Sequence, residues 1–137
     1  MRVLRRLGRC TRGAAMLEFA LLAPVFLMAL FGVIEGSRLV WTQQTISEVA
    51  YATARCMSVS ANCDTLAEQS SFAVARASSY GITVTAANVT PQGGVDCNGF
   101  ANSNQVTVTE NFDSVLNGFV PNFPATVSAS SCFPVLS

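Results

Sequence analysis

The sequence predicts an α+β chain: a long N-terminal helix, made of a membrane span and an amphipathic extension, then a second helix and a small three-stranded antiparallel sheet. Three observations carry that expectation. Ala14 to Ile34 runs for 21 residues with a single charge, Glu18. Leu39, Thr42, Ile46, Val49, Thr53 and Cys56 then recur at steps of three and four, the stripe of an amphipathic helix. Ile82-Thr83-Val84-Thr85 and Val106-Thr107-Val108-Thr109 alternate as half-buried strands do, and Thr126-Val127-Ser128-Ala129 is a weaker third candidate.

The span comes first. At about 1.5 Å per residue, its length is roughly 31 Å, close to the hydrocarbon thickness of a bilayer. It is too long for an ordinary secretory apolar region, and no small-x-small cleavage site follows it in Gly32-Val33-Ile34-Glu35-Gly36-Ser37-Arg38. The twin Arg5-Arg6 lacks flanking support, and Leu7-Gly8-Arg9-Cys10 makes a poor lipoprotein site because a charge precedes the Cys. Pro24 removes one backbone donor inside the span, which membrane helices tolerate. Trp41, seven residues past Ile34, reads either as an interfacial anchor or as core.

Charge orients the span. Only 12% of the 137 residues are charged, against about 25% in an average domain. The net charge of zero hides an asymmetry: Arg2, Arg5, Arg6, Arg9 and Arg12 precede the first acid, Glu18. Beyond Gly13, three Arg stand against eight acids, a side-chain charge of −5. An Arg-rich head directly before an apolar helix follows the positive-inside rule, with the N-terminus cytoplasmic. The expected division is a basic leader over 1–13, a transmembrane helix over 14–34 and an extracytoplasmic α+β domain over 35–137. The partner this pattern implies is a lipid bilayer and not nucleic acid.

Glu18 asks for an explanation, because a carboxylate inside a membrane segment is costly and is functional by default. If the chain were cut after Gly13, Ala14 would carry a new positive amine, and Glu18 would be the fifth residue of the mature chain. Amine and carboxylate then neutralise each other, within one subunit or between neighbours. The plainer alternative leaves Glu18 at the headgroup level.

Gly13-Ala14-Ala15-Met16-Leu17-Glu18-Phe19 resembles the processing site of type IV prepilins: basic leader, Gly, four apolar residues, Glu, aromatic. More narrowly, Arg12 through Pro24, continuing in Phe31-Gly32-Val33-Ile34-Glu35 and Arg38, resembles the opening of TadE-like pseudopilins of the tight-adherence (Flp) pilus system. The likeness is strongest over residues 12–38 and extends more loosely to about residue 57. Gly36-Ser37 departs from it, where the family often has a bulky residue beside a Gly. The resemblance implies a pilin-like layout, cleavage by a prepilin peptidase with Gly13, Ala14, Glu18 and Phe19 as its site, and contacts with other pilin or pseudopilin subunits and assembly proteins. It also implies a bacterial inner-membrane location, with the C-terminal domain periplasmic or extracellular.

Beyond the span, the stripe predicts one helix over about residues 14–57, its outer half laid on a small domain. Ser58 to Asn62 breaks the pattern. Thr65-Leu66-Ala67-Glu68 fits a capping box, with Asp64 as an alternative cap, and opens a second helix running to Tyr80 and ending at Gly81. Pro91-Gln92-Gly93-Gly94 and the Asn-rich stretch through Asn104 read as a loop. Val115 to Pro124 is apolar with breakers and reads as a packed loop. Asn88-Val89-Thr90 matches a glycosylation sequon, discounted by the bacterial family context.

Five Cys are present, Cys10 in the leader and Cys56, Cys63, Cys97 and Cys132 beyond the span. Oxidising conditions there favour two disulfides, and four Cys allow three connectivities. Cys56 closes one helix and Cys63 precedes the next, so a tight turn brings them together; that favours Cys56–Cys63 with Cys97–Cys132.

Catalysis has little to work with. The chain has no His, which excludes Ser-His and Cys-His nucleophiles, and the Cys spacings match neither zinc sites nor C-x-x-C redox centres. Asp64, Glu68, Asp96, Glu110 and Asp113 are scattered, though Asp96 and Glu110 can approach in space. No cofactor and no enzymatic activity are expected. Two function classes remain: a minor pilin-like subunit acting in pilus assembly, or a single-span binding or sensing module with an uncleaved anchor. The mature N-terminus discriminates them.

Overall fold

The computed structural model of the chain describes residues 11–118 and 120–135. Helix α1 runs over Thr11–Val59 and contains Pro24. Helix α2 covers Leu66–Ser79, and three strands follow: β1, Val89–Cys97; β2, Phe100–Asn111; β3, Thr126–Pro134. Two compact units divide between Gly36 and Ser37. The first is described by the opening turns of α1. The second holds the rest of α1, α2 and the sheet, and is an α+β arrangement.

In the second unit the stripe of α1 becomes the core. Ile46, Val49 and Thr53 are wholly buried, as are Ala50 and Ala54 beside them. Thr53, a polar member of the stripe, satisfies its hydroxyl within the helix by donating to the Val49 carbonyl at 2.7 Å. Ala73 and Ala77 of α2 and Val106, Val108, Val127 and Ala129 of the sheet complete the same cluster. Along β2, Val106 and Val108 turn inward, while Gln105 and Thr107 face out and donate to Ser130 Oγ on β3. That alternation is the period-two signal of the sequence converted into burial.

Local chemistry sets the ends of α2. Thr65 Oγ1 accepts from the Glu68 amide, and the Glu68 carboxylate accepts from the Thr65 amide at 3.0 Å, a complete capping box. At the other end Ile82 N–H donates to the Ala77 carbonyl and Gly81 N–H to that of Ser78. This Schellman closure needs a left-handed residue, and Gly81 supplies φ +78°. A 3₁₀ turn over Ala61–Cys63 joins the helices, opened by Ser60 Oγ accepting from the Asn62 amide.

The sheet is an antiparallel meander in the order β1-β2-β3. Here the structure corrects two sequence expectations. Ile82–Thr85 is not a strand but an extended connection, drawn against the core through Val84 and Ile82. Its alternation reflects one-sided burial without a pairing partner. The first strand instead runs through Pro91-Gln92-Gly93-Gly94, and the Asn-rich stretch to Asn104 forms the start of β2. Pro91 is tolerated because β1 is an edge strand. Register shifts after Gln92 and after Val95 absorb the glycines. Asn98 and Gly99 both have positive φ, closing a two-residue hairpin between Cys97 and Phe100.

Val115 to Pro124 is a connection between β2 and β3, as its breakers suggest, but Val115 and Val120 are exposed, so its outer part is not packed. Trp41 is 60% exposed and is not core.

Candidate processing and anchoring segment

The candidate cut lies in the first unit. Gly13, Ala15, Met16, Leu17, Glu18 and Phe19 are all exposed, and so are nearly all residues on to Ile34. A helix that is apolar on every side and bare of protein is suited to lipid, not to water. Among the described residues this is the one helix long and apolar enough to cross a membrane, with a window of mean hydropathy 2.3 and none of it buried. It fits a membrane anchor.

Glycine at position 13 is not required by this fold. A Cβ there would meet nothing within 4 Å, and the same holds at Gly32 and Gly36. Ala14 and Glu18 are four residues apart in α1. Arg2, Arg5, Arg6 and Arg9 lie outside the described residues; Arg12 lies in α1, its side chain undescribed.

The structure brings the four far Cys together in two pairs at disulfide distance. Cys56 and Cys63 have their Cα atoms 5.8 Å apart across the 3₁₀ turn. Cys97 and Cys132 stand 6.3 Å apart by Cα, joining the end of β1 to β3 across β2. Two strand spacings would put outer strands about 9.5 Å apart. The register shift just before Cys97 bends β1 and shortens that distance. Asp96 and Glu110 do not meet: Asp96 lies near the hairpin end of β2, while Glu110 pairs with Val127 near the other end. Glu110 has Asp113 beside it instead. Partial burial, and then that like charge, push its carboxyl above the ordinary range. Glu68 moves the opposite way, held down by the Thr65 backbone and side-chain hydrogen bonds and, less, by the Asp64 amide.

Sequence reasoning passed over the contacts around Arg38. Its guanidinium lies 5.6 Å from the centre of the Phe112 ring, and Phe112 packs on Phe123 at 6.2 Å. An Arg next to an apolar span and an aromatic 74 positions later share no periodicity, so no sequence signal links them. Between α1 and α2 an open groove carries Tyr51, Arg55 and Phe72 beside the Arg76–Glu48 ion pair of 3.3 Å. Among the described residues no cluster of three His, Cys, Asp or Glu is placed to hold a metal.

A bare apolar helix followed in sequence by a small α+β unit defines a class by its parts, chains with one candidate N-terminal anchor and one α+β unit. Within that class, residues 13–55 match the model of the TadE-like protein family. The match covers the candidate cut, the apolar segment and most of the buried stripe of α1. No curated protein and no solved structure gives a significant match.

Proposed function

We propose that this chain is a minor pilin-like subunit, a pseudopilin, that acts in assembling tight-adherence pili after a prepilin peptidase cuts between Gly13 and Ala14. The observation that carries the proposal is the Gly13 to Phe19 motif, at the head of a bare apolar helix and inside the family match. The open space around Gly13 supports it: a small residue that the fold does not need answers a demand from another molecule, here a peptidase subsite. In this reading the leader arginines hold the N-terminus in the cytoplasm. The chain sits once in the bacterial inner membrane, and the α+β unit faces the periplasm or the exterior. Its partners are the peptidase, other pilin or pseudopilin subunits, the assembly proteins and the bilayer.

Intact-mass analysis of the membrane-extracted protein tests the cut. The expected result is loss of residues 1–13 in cells with an active prepilin peptidase. A protein still beginning at Met1 in such cells overturns the proposal and returns the chain to an uncleaved, membrane-anchored binding or sensing module. Gly13→Trp should block the cut and leave insertion intact, because the apolar run is untouched.

A further inference from the structure

We propose that a second copy of this chain docks the tip of its β1–β2 hairpin, which carries Asp96 and Phe100, into the groove between α1 and α2. Both patches lie in the second unit, so the contact stands or falls apart from the cut at Gly13. The groove is built by helix spacing. Glu48, Tyr51, Arg55 and Val59 follow one another along α1 at steps of three and four, and Phe72 and Arg76, four apart, line it from α2. Its volume is about 400 Å³. Tyr51, Val59 and Phe72 are exposed there. Open aromatic side chains beside arginines are the composition of a protein contact.

Charge says what enters. The second unit holds three Arg against six acids, and two of those Arg line this groove. Glu48 takes up Arg76 at 3.3 Å. Arg55 is exposed and has no ion-pair partner among the described residues. The groove is thus the basic spot of an acidic unit, complementary to a carboxylate carried beside an apolar side chain. Another copy presents that combination. Trp41, Tyr51, Phe72 and Phe100 are the exposed aromatics among the described residues of the second unit. Tyr51 and Phe72 belong to the groove, and Trp41 stands on α1 near Arg38. Phe100, 63% exposed, shares the hairpin tip with the exposed acid Asp96. The base of the tip is held near β3, where Cys97 stands 6.3 Å by Cα from Cys132. A loop held at its base loses less freedom when it docks. No residue of the tip lines the groove of its own copy. Each copy offers both patches, so the contact is exchanged within a pair or repeated from copy to copy.

Photo-crosslinking of the full chain, purified and reconstituted in phosphatidylcholine–phosphatidylglycerol vesicles, tests the contact. The probe is p-benzoylphenylalanine in place of Phe100. The expected product is a covalent dimer whose link maps to residues 48–60 or 72–76. Arg55→Glu and Asp96→Arg should each lower the dimer yield by about fivefold or more, because repulsion replaces attraction. The two changes in one chain should restore about half of the yield or more. No dimer, a dimer linked elsewhere or spread over many surfaces, single variants with unchanged yield, or a double variant no better than either single one overturns the docking. Thermal melting of each variant checks its fold. Where a charge reversal misfolds, Arg55→Gln or Asp96→Asn is read for the loss of yield in its place. If position 100 does not tolerate the probe, p-benzoylphenylalanine at Tyr51 reads the same contact from the groove, with its link expected at residues 96–100.

Discussion

Asn104 donates from Nδ2 to Ser58 Oγ at 2.9 Å, tying the start of β2 to the last turns of α1 across 46 positions of sequence. Asn104 is buried, and Ser58 Oγ donates in turn to the Ala54 carbonyl at 3.1 Å. Both groups are thus satisfied inside the second unit.

Asn104→Ala should remove that link. A lost buried hydrogen bond costs about 1–2 kcal/mol, and for a unit of this size each kcal/mol lowers the melting temperature by about 4–8 °C. Thermal melting in detergent, followed by circular dichroism, measures it. Gly93→Ala should act in the same direction, because its Cβ would come 3.2 Å from Asn104 Oδ1. An Asn104→Ala protein melting at the wild-type temperature would mean that water replaces the amide without loss.

Those two residues also mark where the sequence was legible. The helices were, because their signals are local: the three-and-four stripe, Thr65 with Glu68, and Gly81. Val106 to Thr109 and Thr126 to Ala129 were also legible, because one face of each is buried and the other wet. Asn104 was not, since a buried Asn in a strand is made tolerable by a partner that only the fold supplies. β1 was hidden by Pro91 and two glycines, residues that punctuate loops unless an edge position and register shifts accommodate them. One usable signal was present, the Asn98-Gly99 pair that favours a type I′ hairpin. In the candidate site, the motif from Gly13 to Phe19 and the bare helix were readable in one dimension. The Arg38–Phe112 contact was not.

The two Cys pairs should differ in what they contribute. Their sequence separations are 7 and 35. In the chain-entropy view these loops correspond to about 2 kcal/mol for Cys56–Cys63 and about 4 kcal/mol for Cys97–Cys132. Non-reducing peptide mapping should recover those two linkages. Replacing both Cys97 and Cys132 by Ser should lower the melting temperature more than the same change at Cys56 and Cys63, and hydrogen exchange should rise mainly in β3. Cys56 linked to Cys97 or Cys132 in the map would contradict the arrangement.

Glu68 and Glu110 should give opposite pH dependences. The carboxyl of Glu68 is depressed in the fold, so it stabilises above the ordinary Glu value near 4.3; that contribution disappears as pH falls through the folded value. Glu110 is raised, so the fold disfavours its ionised form. Its stabilising contribution is complete below the ordinary value and disappears as pH rises through the folded value. Glu110→Gln should therefore gain stability relative to wild type at pH 7 and not at pH 3. Glu68→Gln should do the reverse, losing at pH 7 and little at pH 3. Denaturant melts at the two pH values read both signs.

Glu18→Ala separates a membrane role from an assembly role. Glu18 is exposed on α1, four residues past the amine that the proposed cut would create at Ala14. A charge near the end of a span costs less than the roughly 2.5–3.5 kcal/mol assigned to a charged residue at its centre. Its removal should therefore leave insertion unharmed or slightly improved, as alkaline extraction of membranes would show. If Glu18 neutralises the Ala14 amine of a neighbouring subunit, the same variant should strand that amine in an apolar setting and reduce recovery of assembled pili in sheared surface fractions. Glu18→Asp keeps the charge on a shorter arm and should restore part of the yield. Unchanged pili from the Glu18→Ala strain would return Glu18 to the headgroup level, with no partner at Ala14.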